Sequence, residues 1–593
     1  MFAKIRQGAS WLLSRVGEEE IFIPENMTEE QLQMGQTVKD FVDKEVWPNN
    51  EKIEHKEPGV SDGLLRKAGE IGLLMAEIPE AYGGLGLGKV ASTIMSEQAT
   101  TQGSWTVSYM CHTGIGTLPI LYFGTEEQKR KYLPKLATGE YIGAYALTEA
   151  GSGSDALAAK TKAVLSPDGK HYILNGEKMF ITNGSWADVI TVFAKVDGEH
   201  FTGFIVEKGY EGVSAGKEEK KMGIHGSSTV PIILQDAKVP VENVLGEIGK
   251  GHKIAFNVLN VGRWKLGAAC TGGCKRVLEH TVRYVKERKQ FGQPLADFEI
   301  IQQKIADSVI RTYVTESIMY RYAGELDAAI ATLDKSDAEY DKKALQMVEE
   351  YAIEASICKV YGSEAMDFVA DEGVQMHGGY GYIEEYPVEA FYRNSRINRI
   401  FEGTNEINRM IIPGTLLKRA MKGEIDLMGE IQRILGQLKE GFPKETDQRV
   451  LVNRINLVNQ AKKLAVYVSG VAVQKYMGEI KDRQSFMIAM ADFIIEVYAM
   501  ESALLRSLQL IKQVGEEKAR IPIAITKSYV TEKCLELVTL AKQFCANVAK
   551  GDDAAYEKYA KAIDRILEVK PLNTLDLKLQ IAQHALEKDG YAI

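Results

Sequence analysis

The sequence contains few cysteines, and their spacing fits neither a disulfide framework nor a metal site. None of the six belongs to a C-x-x-C pair. They occur at Cys111, Cys270, Cys274, Cys358, Cys534 and Cys545. Cys270 and Cys274 lie one helical turn apart, but no second ligand pair accompanies them, so we expect them to pack in a core. The pattern predicts reduced thiols, no metal site and no secretory signal peptide.

The sequence also lacks a cluster of basic residues and a long apolar run. Phosphate binding needs clustered Lys and Arg, so a net charge of -9 without such a cluster excludes nucleic acid as the ligand. No stretch approaches the length of apolar residues that crosses a bilayer. With 45% apolar and 26% charged residues, the chain is predicted to be a cytoplasmic globular protein with several domains.

Residues 1–16, MFAKIRQGASWLLSRV, are basic and amphipathic. The pattern predicts a helix on the protein surface. A weak peripheral contact with a membrane and the remnant of a targeting segment are the alternatives.

Hydrophobic periodicity divides the chain into four regions. A helical period runs through 1–140, whereas a period of two, as in ADVITVFAKV, marks 141–250 as a β domain. Long helical segments return over 251–420 and are typical of a bundle, and 421–593 reads as a further helical domain. The predicted fold is mainly α with a central β domain: a helical N-terminal domain, a β-barrel-like middle domain, a four-helix bundle and a C-terminal helical extension.

A glycine-rich loop, TEAGSGSDALAAK, follows the apolar run 141–147. Its G-x-G-x-x-A pattern is similar to the first turn of a dinucleotide-binding βαβ unit, which must lead into a helix. Instead, Lys160–Leu165 and His171–Asn175 alternate polar and apolar residues on either side of the turn SPDGK. The pattern predicts a β-hairpin, so this loop is not a Rossmann turn.

Four stretches with distinctive residues could converge where the β domain meets the bundle. They are YALTEAGSGSD (145–155), MFITNG (179–184), ERKQFGQPL (287–295) and QMHGGYGYIEEYPVEAFYRNSRINRIFEGTNEINR (375–409). Together they resemble the acyl-CoA dehydrogenase family, in the order that the family uses. The tail, with FMIAMADFIIEVYAMESALLRS, resembles the C-terminal extension of the very-long-chain branch of that family.

The resemblance implies an FAD-dependent enzyme that desaturates the α,β bond of acyl-CoA thioesters in fatty-acid β-oxidation. The chemistry needs a carboxylate to remove the α-proton, in a site dry enough to raise the pKa of that carboxylate. Glu402 in IFEGTNEI matches the family's base, and its backbone N–H is implied to bind the thioester oxygen. Glu384 and Glu385 have no such role in the family pattern. In other branches the base corresponds to Gly262, which cannot accept a proton.

The same resemblance assigns residues of the β domain to the cofactor. Leu147 and Thr148 match positions that hydrogen-bond the flavin ring. Phe180 and Thr182 match positions that pack on the ring and hydrogen-bond it, although the family often has Trp in place of Phe180. The small residues at 151–154 are predicted to let their loop close over the flavin and the pantetheine arm.

Further contacts are implied in the bundle. In the family the neighbouring subunit provides the residues that contact the FAD pyrophosphate and adenine. The matching residues of this chain are Arg288, Phe291, Gln302, Gln375, Gly378 and Gly379. Additional FAD contacts are Thr404 and Glu406. The predicted substrate contacts are Ser154, which also lies near the cofactor, Asn260, Arg263 and Gly403.

The resemblance also implies partners. Electron-transfer flavoprotein is the expected electron acceptor, and a homodimer is expected because a second subunit completes the FAD site. An oxidase that reduces O₂ and an assembly factor with little catalytic activity are the alternatives. The presence of Glu402 and of the FAD motifs argues against the assembly factor. Acyl-CoA oxidases are usually longer and diverge around the glycine loop, so the resemblance favours the dehydrogenase.

Chain-length preference is predicted from CHTGIGTLPI, which matches a wall of the family's acyl cavity. Gly114 and Gly116 leave volume there that larger side chains would fill, which favours long acyl chains. Close packing of helices explains the same glycines equally well.

Overall fold

Helices surround one central sheet in the computed structural model, which describes residues 7–17, 20–337 and 339–593. The N-terminal helices are α1 (Glu29–Phe41), α2 (Asn50–Glu54), α3 (Val60–Glu70), α4 (Lys89–Gln98), α5 (Gly103–Cys111), α6 (Leu118–Phe123) and α7 (Glu126–Thr138). The strands of the sheet are β1 (Gly143–Ala146), β2 (Lys162–Leu165), β3 (His171–Thr182), β4 (Val189–Val196), β5 (His200–Glu207), β6 (Val213–Ala215), β7 (Thr229–Pro240) and β8 (Val244–Leu245).

The helices of the bundle follow the sheet, and the helices of the extension follow the bundle. The bundle comprises α8 (Gly251–Glu287), α9 (Glu299–Ile330), α10 (Tyr340–Glu350), α11 (Ala352–His377), α12 (Pro387–Ser395) and α13 (Asn405–Met421), with a short hairpin of β9 (Lys289–Gln290) and β10 (Gln293–Pro294) after α8. The extension comprises α14 (Leu427–Glu440), α15 (Val452–Tyr476), α16 (Gln484–Val514), α17 (Arg520–Ala549), α18 (Asp553–Ile566) and α19 (Thr574–Glu587).

Local sequence signals set the ends of several helices. Thr28 with Gln31 at α1 and Thr125 with Gln128 at α7 form capping boxes, in which each side chain accepts a hydrogen bond from a backbone N–H at the start of the helix. The last turn of α7 ends at Gly139, whose φ of 75° lies in the left-handed region. The chain then enters β1.

The sheet has the strand order β6-β7-β3-β2-β4-β5-β8, and β1 runs parallel to β4. Leu165 of β2 pairs with Tyr172 of β3 in an antiparallel ladder, so the hairpin predicted after the glycine loop is confirmed. Alternate residues of the central strands, such as Ile190 and Val192, are buried in a core of the sheet's own.

Helices α8, α9, α11 and α13 pack together as the predicted bundle. Every residue of α8 from Asn260 to Cys274 is buried, because other elements cover this part of the helix on all sides. Gly267 and Gly362 lie where α8 and α11 approach most closely; a Cβ at Gly362 would stand 2.9 Å from the Gly267 Cα. The extension covers the outer side of the bundle through α16 and α19, and the predicted fold class is confirmed.

The N-terminal segment corrects one prediction. Residues 1–6 lie outside the described residues, and the part from residue 7 forms a short 3₁₀ turn at Ser10–Leu12 and no amphipathic surface helix. Trp11 is only 2% exposed, and its indole N–H donates to a Glu354 carboxylate oxygen at 2.9 Å. The Lys462 ammonium of the extension donates to the Trp11 carbonyl. Trp11 and Leu12 face the interior, so they are not available to a membrane.

The prediction that Cys270 and Cys274 pack in a core is confirmed. All six are buried and free of disulfides. Within residues 7–17, 20–337 and 339–593, no group of three or more His, Cys, Asp or Glu side chains could hold a metal ion. Of the described helices, none combines the length and the apolar character needed to cross a bilayer.

Candidate active site

Glu402 lies in a tight loop directly before α13. Its φ of 57° is in the left-handed region, which a non-glycine residue occupies only when its surroundings hold it there. Two side chains do so. The Thr404 hydroxyl accepts from the Ile407 N–H and caps α13, and the Asn408 amide donates to the Gly403 carbonyl at 2.8 Å. The loop therefore presents the Glu402 side chain in one defined direction.

That direction leads to α8, where Gly262 faces the carboxylate. A Cβ at Gly262 would stand 2.5 Å from the Glu402 Oε2 atom, closer than real contacts allow. The glycine that takes the place of the base in other branches thus makes room for the base of this chain. The alternative carboxylates Glu384 and Glu385 are both exposed.

The surroundings of the carboxylate raise its proton affinity. Burial raises the pKa of Glu402 to about 7, and the charges of Arg263 and Lys359 offset only part of the effect. Glu402 Oε2 is buried, and among the described residues it has no hydrogen-bond partner. A carboxylate with a free oxygen and a pKa near neutrality can accept a proton from a substrate. We call Glu402, Gly262, Arg263 and Lys359 the base pocket.

Other side chains hold these two cations. Arg263 Nη1 donates to the Asn260 Oδ1 atom at 2.6 Å, and its Nε lies 3.4 Å from the Glu402 carbonyl oxygen. Asn260 and Arg263 are both buried, and Arg263 lies beside Glu402. Lys359 on α11 donates to Asn405 Oδ1 at 2.6 Å, and burial lowers its pKa to about 8.

The β domain reaches the base pocket through Thr182. The Cys111 thiol lies 3.8 Å from the Thr182 carbonyl oxygen, and besides burial the charge of nearby Glu402 raises the pKa of Cys111. Phe180, on the same strand, is 59% exposed with a φ of 59° in an irregular part of β3. A large apolar ring held outward in this way offers a surface on which a planar ring can stack.

The glycine loop starts next to these residues. The Lys178 ammonium donates to the Leu147 carbonyl at 3.3 Å, and the Met179 N–H donates to the Thr148 carbonyl at 2.8 Å. Glu149 anchors the loop, since its buried carboxylate pairs with Lys178 at 2.7 Å and accepts from the Lys160 N–H. These contacts with Lys178, Met179 and Lys160 hold the start of the loop in place.

The tip of the glycine loop leaves space around it. Neither Gly151 nor Gly153 has a φ in the left-handed region, and a Cβ at either position would meet nothing within 4 Å. Ser154 is exposed. Because neither the backbone conformation nor the packing of this chain needs these glycines, the small residues keep room for a ligand.

A second group of predicted contacts lies at the other end of α8. We call Arg288, Phe291, Gln375, Gly378 and Gly379 the exposed cluster. The Arg288 guanidinium lies 5.3 Å from the Tyr380 ring, and Phe291 is 96% exposed. Gly378 has φ 60° and ψ −138°, a conformation that requires glycine. All five residues are exposed.

The exposed cluster is far from the base pocket of the same chain. From Gly262 to Glu287 the helix α8 spans roughly 37 Å at 1.5 Å per residue. The structure therefore does not bring the two groups of predicted contacts together within one chain. Gln302 is near the exposed cluster at the start of α9, where its amide donates to the Ala296 carbonyl. Glu406 is exposed in the first turn of α13.

The sequence did not reveal the residues that support Glu402 and the glycine loop. Lys359 lies in the apolar stretch EASICKVYG, and a single lysine inside such a stretch is a signal that could have been used. Lys178 and Glu149 are far apart in sequence, and nothing in the sequence pairs them. Asn405 and Asn408 resemble ordinary residues of a first helical turn.

Comparisons with known proteins agree with this geometry. The family descriptions "Acyl-CoA dehydrogenase, N-terminal domain", "middle domain" and "C-terminal domain" match residues 28–140, 144–237 and 249–417, and a second C-terminal domain of the same family matches 460–557. A probable acyl-CoA dehydrogenase of Bacillus subtilis (strain 168) is 46% identical over 591 residues, which cover 100% of this chain and 99% of the relative. The chain belongs to the acyl-CoA dehydrogenase family.

Two further relatives place it within the acyl-CoA dehydrogenases. The crystal structure of an acyl-CoA dehydrogenase complexed with FAD from Bacillus anthracis has a TM-score of 0.97 and 47% sequence identity, covering 99% of this chain and 100% of that chain. The human mitochondrial very long-chain specific acyl-CoA dehydrogenase is 38% identical over 66% of this chain and 57% of its own length. The resemblance seen in the sequence is confirmed, and the protein is an FAD-dependent oxidoreductase.

The described residues fit FAD. Phe180 offers a free aromatic face, and a Cβ at Gly151 or Gly153 would meet nothing within 4 Å. At the exposed cluster, Gly378 and Gly379 also have nothing within 4 Å of a Cβ, beside the Arg288 guanidinium that suits a phosphate. An acyl-CoA dehydrogenase needs both kinds of surface, one for the flavin ring and one for the pyrophosphate and adenine of FAD.

Proposed function

We propose that the protein oxidises fatty acyl-CoA thioesters to trans-2-enoyl-CoA in fatty-acid β-oxidation and passes the electrons to an electron-transfer flavoprotein. The observation that carries the proposal is the buried Glu402 carboxylate, which has a free oxygen, a pKa raised by burial to about 7 and a glycine opposite it. These are the properties of a general base for a weakly acidic C–H bond.

In the proposed reaction Glu402 Oε2 accepts the α-proton of the substrate. Gly262 leaves the volume that the carboxylate needs, and the backbone N–H of Glu402 donates to the thioester oxygen as negative charge develops there. FAD, when bound, supplies the acceptor for the β-hydride. Asn260, Arg263 and Gly403 contact the reacting end of the thioester, and Ser154 contacts the CoA arm.

We assign the flavin ring to Leu147, Thr148, Phe180 and Thr182, with Thr404 and Glu406 completing that side. The adenosine side is assigned to the exposed cluster and Gln302 of a second subunit. The roughly 37 Å of helix α8 between Gly262 and Glu287 supports this division, because one cofactor cannot contact both groups in one chain. The protein is therefore proposed to be a homodimer.

The acyl chain length is the finer part of the proposal. Gly114 supports the prediction of long chains only as far as Lys265, whose side chain a Cβ at this position would meet at 3.8 Å. Gly116 no longer supports it. A Cβ there would stand 2.7 Å from the Gly143 main chain, so Gly116 serves the close packing of its turn against β1. Measuring kcat/KM from butyryl-CoA to palmitoyl-CoA tests the prediction, and an optimum at short chains contradicts it.

The experiment that tests the function is anaerobic reduction of the purified, yellow holoprotein by acyl-CoA. A dehydrogenase loses its colour on mixing, regains it rapidly with electron-transfer flavoprotein and regains it slowly in air. Rapid recovery in air indicates the oxidase. A protein that keeps its colour with every acyl-CoA from four to sixteen carbons contradicts the proposed activity.

A further inference from the structure

The structure contains a buried cluster of charges that the proposed reaction does not use. Glu77, in the segment between α3 and α4, pairs with Lys265 of α8 at 2.5 Å and with Lys89 of α4. The Ser92 hydroxyl donates to the same carboxylate at 2.8 Å. The Lys89 and Lys265 charges outweigh the effect of burial and lower the pKa of Glu77 to about 2, so the carboxylate is ionised.

Lys265 lies next to the base pocket along α8. It follows Gly262 by three residues, so both face the same side of the helix, about 4.5 Å apart along its axis. The chain segment opposite α8 lies near Glu402 and Lys265 in the same order. Cys111 lies near Glu402, and two residues later the Thr113 carbonyl accepts from the Lys265 ammonium at 3.0 Å. Lys265 and Thr113 therefore face each other across a gap between α8 and the turn that follows α5, one helical turn of α8 beyond Gly262.

A small cavity of about 10 Å³, the space of one water, lies in this gap. Its sides are partly apolar, with Leu74, Met95 and Leu118 among them. Glu77, Thr113 and Lys265 also line it. An unbranched methionine can move aside for an alkyl chain, whereas a lysine held by a carboxylate and a carbonyl cannot move without breaking both contacts.

We propose that Lys265 and Glu77 form the end wall of the acyl pocket and thereby set the longest acyl chain that the enzyme accepts. The inference rests on the proposed acyl-CoA activity. Each methylene group gains free energy as it is buried on the way from the base pocket to Lys265, and the gain stops where the next one would have to press against an ion pair that is already desolvated. The value of kcat/KM then declines sharply once the acyl chain exceeds the length at which it meets this ion pair.

Lys265→Met tests the end wall. The variant keeps the length of the side chain and removes its charge, while Glu77 retains Lys89 and Ser92 as partners. We expect kcat/KM for chains longer than the wild-type optimum to rise about tenfold relative to the optimum. Affinities for 3-thia-acyl-CoA thioesters, in which sulfur replaces the β-methylene so that no β-hydride can leave, should shift in the same way.

The matched control is Lys275→Met. Lys275 is also a lysine of α8, is partly buried and pairs with Glu97 at 2.6 Å and with Glu316. It lies ten residues beyond Lys265 and does not line the cavity. We expect this variant to lose stability without a change in chain-length profile. If Lys265→Met does not fold, Lys265→Gln removes the same charge with a side chain that can still donate to Thr113, and the same shift is expected at smaller size.

The outcomes separate this inference from the proposed function. A wild-type protein that no acyl-CoA reduces contradicts the function itself. A wild-type protein that is reduced normally, with a Lys265→Met or Lys265→Gln variant that keeps FAD and an unchanged chain-length profile, overturns the end wall alone. A shift of the same size in Lys275→Met also overturns it, because the effect would then come from loosening α8.

Discussion

The base pocket and the exposed cluster differ in how far a single chain completes them. Glu402 is held by its own loop, faces a glycine and has cations on two neighbouring helices. Arg288 and Phe291, by contrast, stand in solvent and contact few groups of their own chain. Both sets resemble family contacts equally well in the sequence. The difference in burial separates a preorganised pocket, which we propose is the reaction site, from an exposed surface, which we propose binds FAD together with a second subunit.

The comparison has a physical consequence. Changes in the base pocket act on chemistry, because its groups are positioned before any ligand arrives. Changes in the exposed cluster are expected to act on binding, because in the proposed dimer its groups gain their contacts only when the cofactor and a second subunit are present. The predictions below test that division, from the largest expected effect to the smallest.

Glu402→Gln is expected to have the largest effect. The amide fills the same space but has no basic oxygen, so flavin reduction by acyl-CoA should slow by about a thousandfold or more while FAD remains bound. Stopped-flow absorbance measures the rate. Reduction at a rate close to wild type would remove Glu402 from the mechanism.

Gly262→Ala is expected to slow reduction by about a hundredfold. Its Cβ would stand 2.5 Å from Glu402 Oε2 and push the carboxylate from its position, and small misplacements of a catalytic group have effects of this order. The matched control is Gly273→Ala on the same helix, where the Cβ meets the flexible Met366 side chain at 2.7 Å. Equal losses in both variants would mean that α8 as a whole is disturbed and that the carboxylate is not specifically affected.

The sequence predicted the fold well, because its signals are local. The change from a helical period to a period of two marks the sheet, and the SPDGK turn identifies the β2–β3 hairpin. The prediction for the N-terminal segment was wrong for a reason that lies outside the segment's own sequence. Trp11 and Leu12 form one apolar face, and only the positions of Glu354 and Lys462 show that the protein itself covers that face.

Only part of the site was predicted, because the rest also depends on residues outside the local sequence. Glu402 was found through its motif, but the charges of Arg263 and Lys359, which offset part of the effect of burial on its pKa, could not be seen in the motif because they come from other helices. The two glycines of the acyl wall look alike in the sequence. Only their neighbours distinguish them, since Gly116 faces the backbone of β1 and Gly114 faces a lysine side chain.

Arg288→Ala is expected to weaken FAD binding about tenfold, because a hydrogen bond between a guanidinium and a phosphate is lost. The rate of reduction at saturating FAD should stay near wild type. Arg283→Ala is the control, an exposed arginine one turn earlier whose contact is with Glu279 at 2.6 Å. Titration of the apoprotein with FAD measures the affinity. A variant with unchanged affinity, or one whose reduction rate falls as in the Gly262 variant, contradicts the assignment of Arg288 to the dinucleotide.

The smallest effect is expected in the pH dependence of kcat/KM. The ionised form of Glu402 is the base and its pKa is raised by burial to about 7, so activity should rise with pH through about 7. The charge of Lys359 stabilises that ionised form. Lys359→Met should therefore move the midpoint upward by about one pH unit, whereas Lys359→Arg should leave it near wild type. The pKa of Lys359 itself is lowered by burial to about 8, so the difference between wild type and Lys359→Met should narrow above pH 8 as the lysine loses its proton. A uniform loss of activity with an unmoved midpoint would show that Lys359 acts only through its hydrogen bond to Asn405, by holding the loop in place.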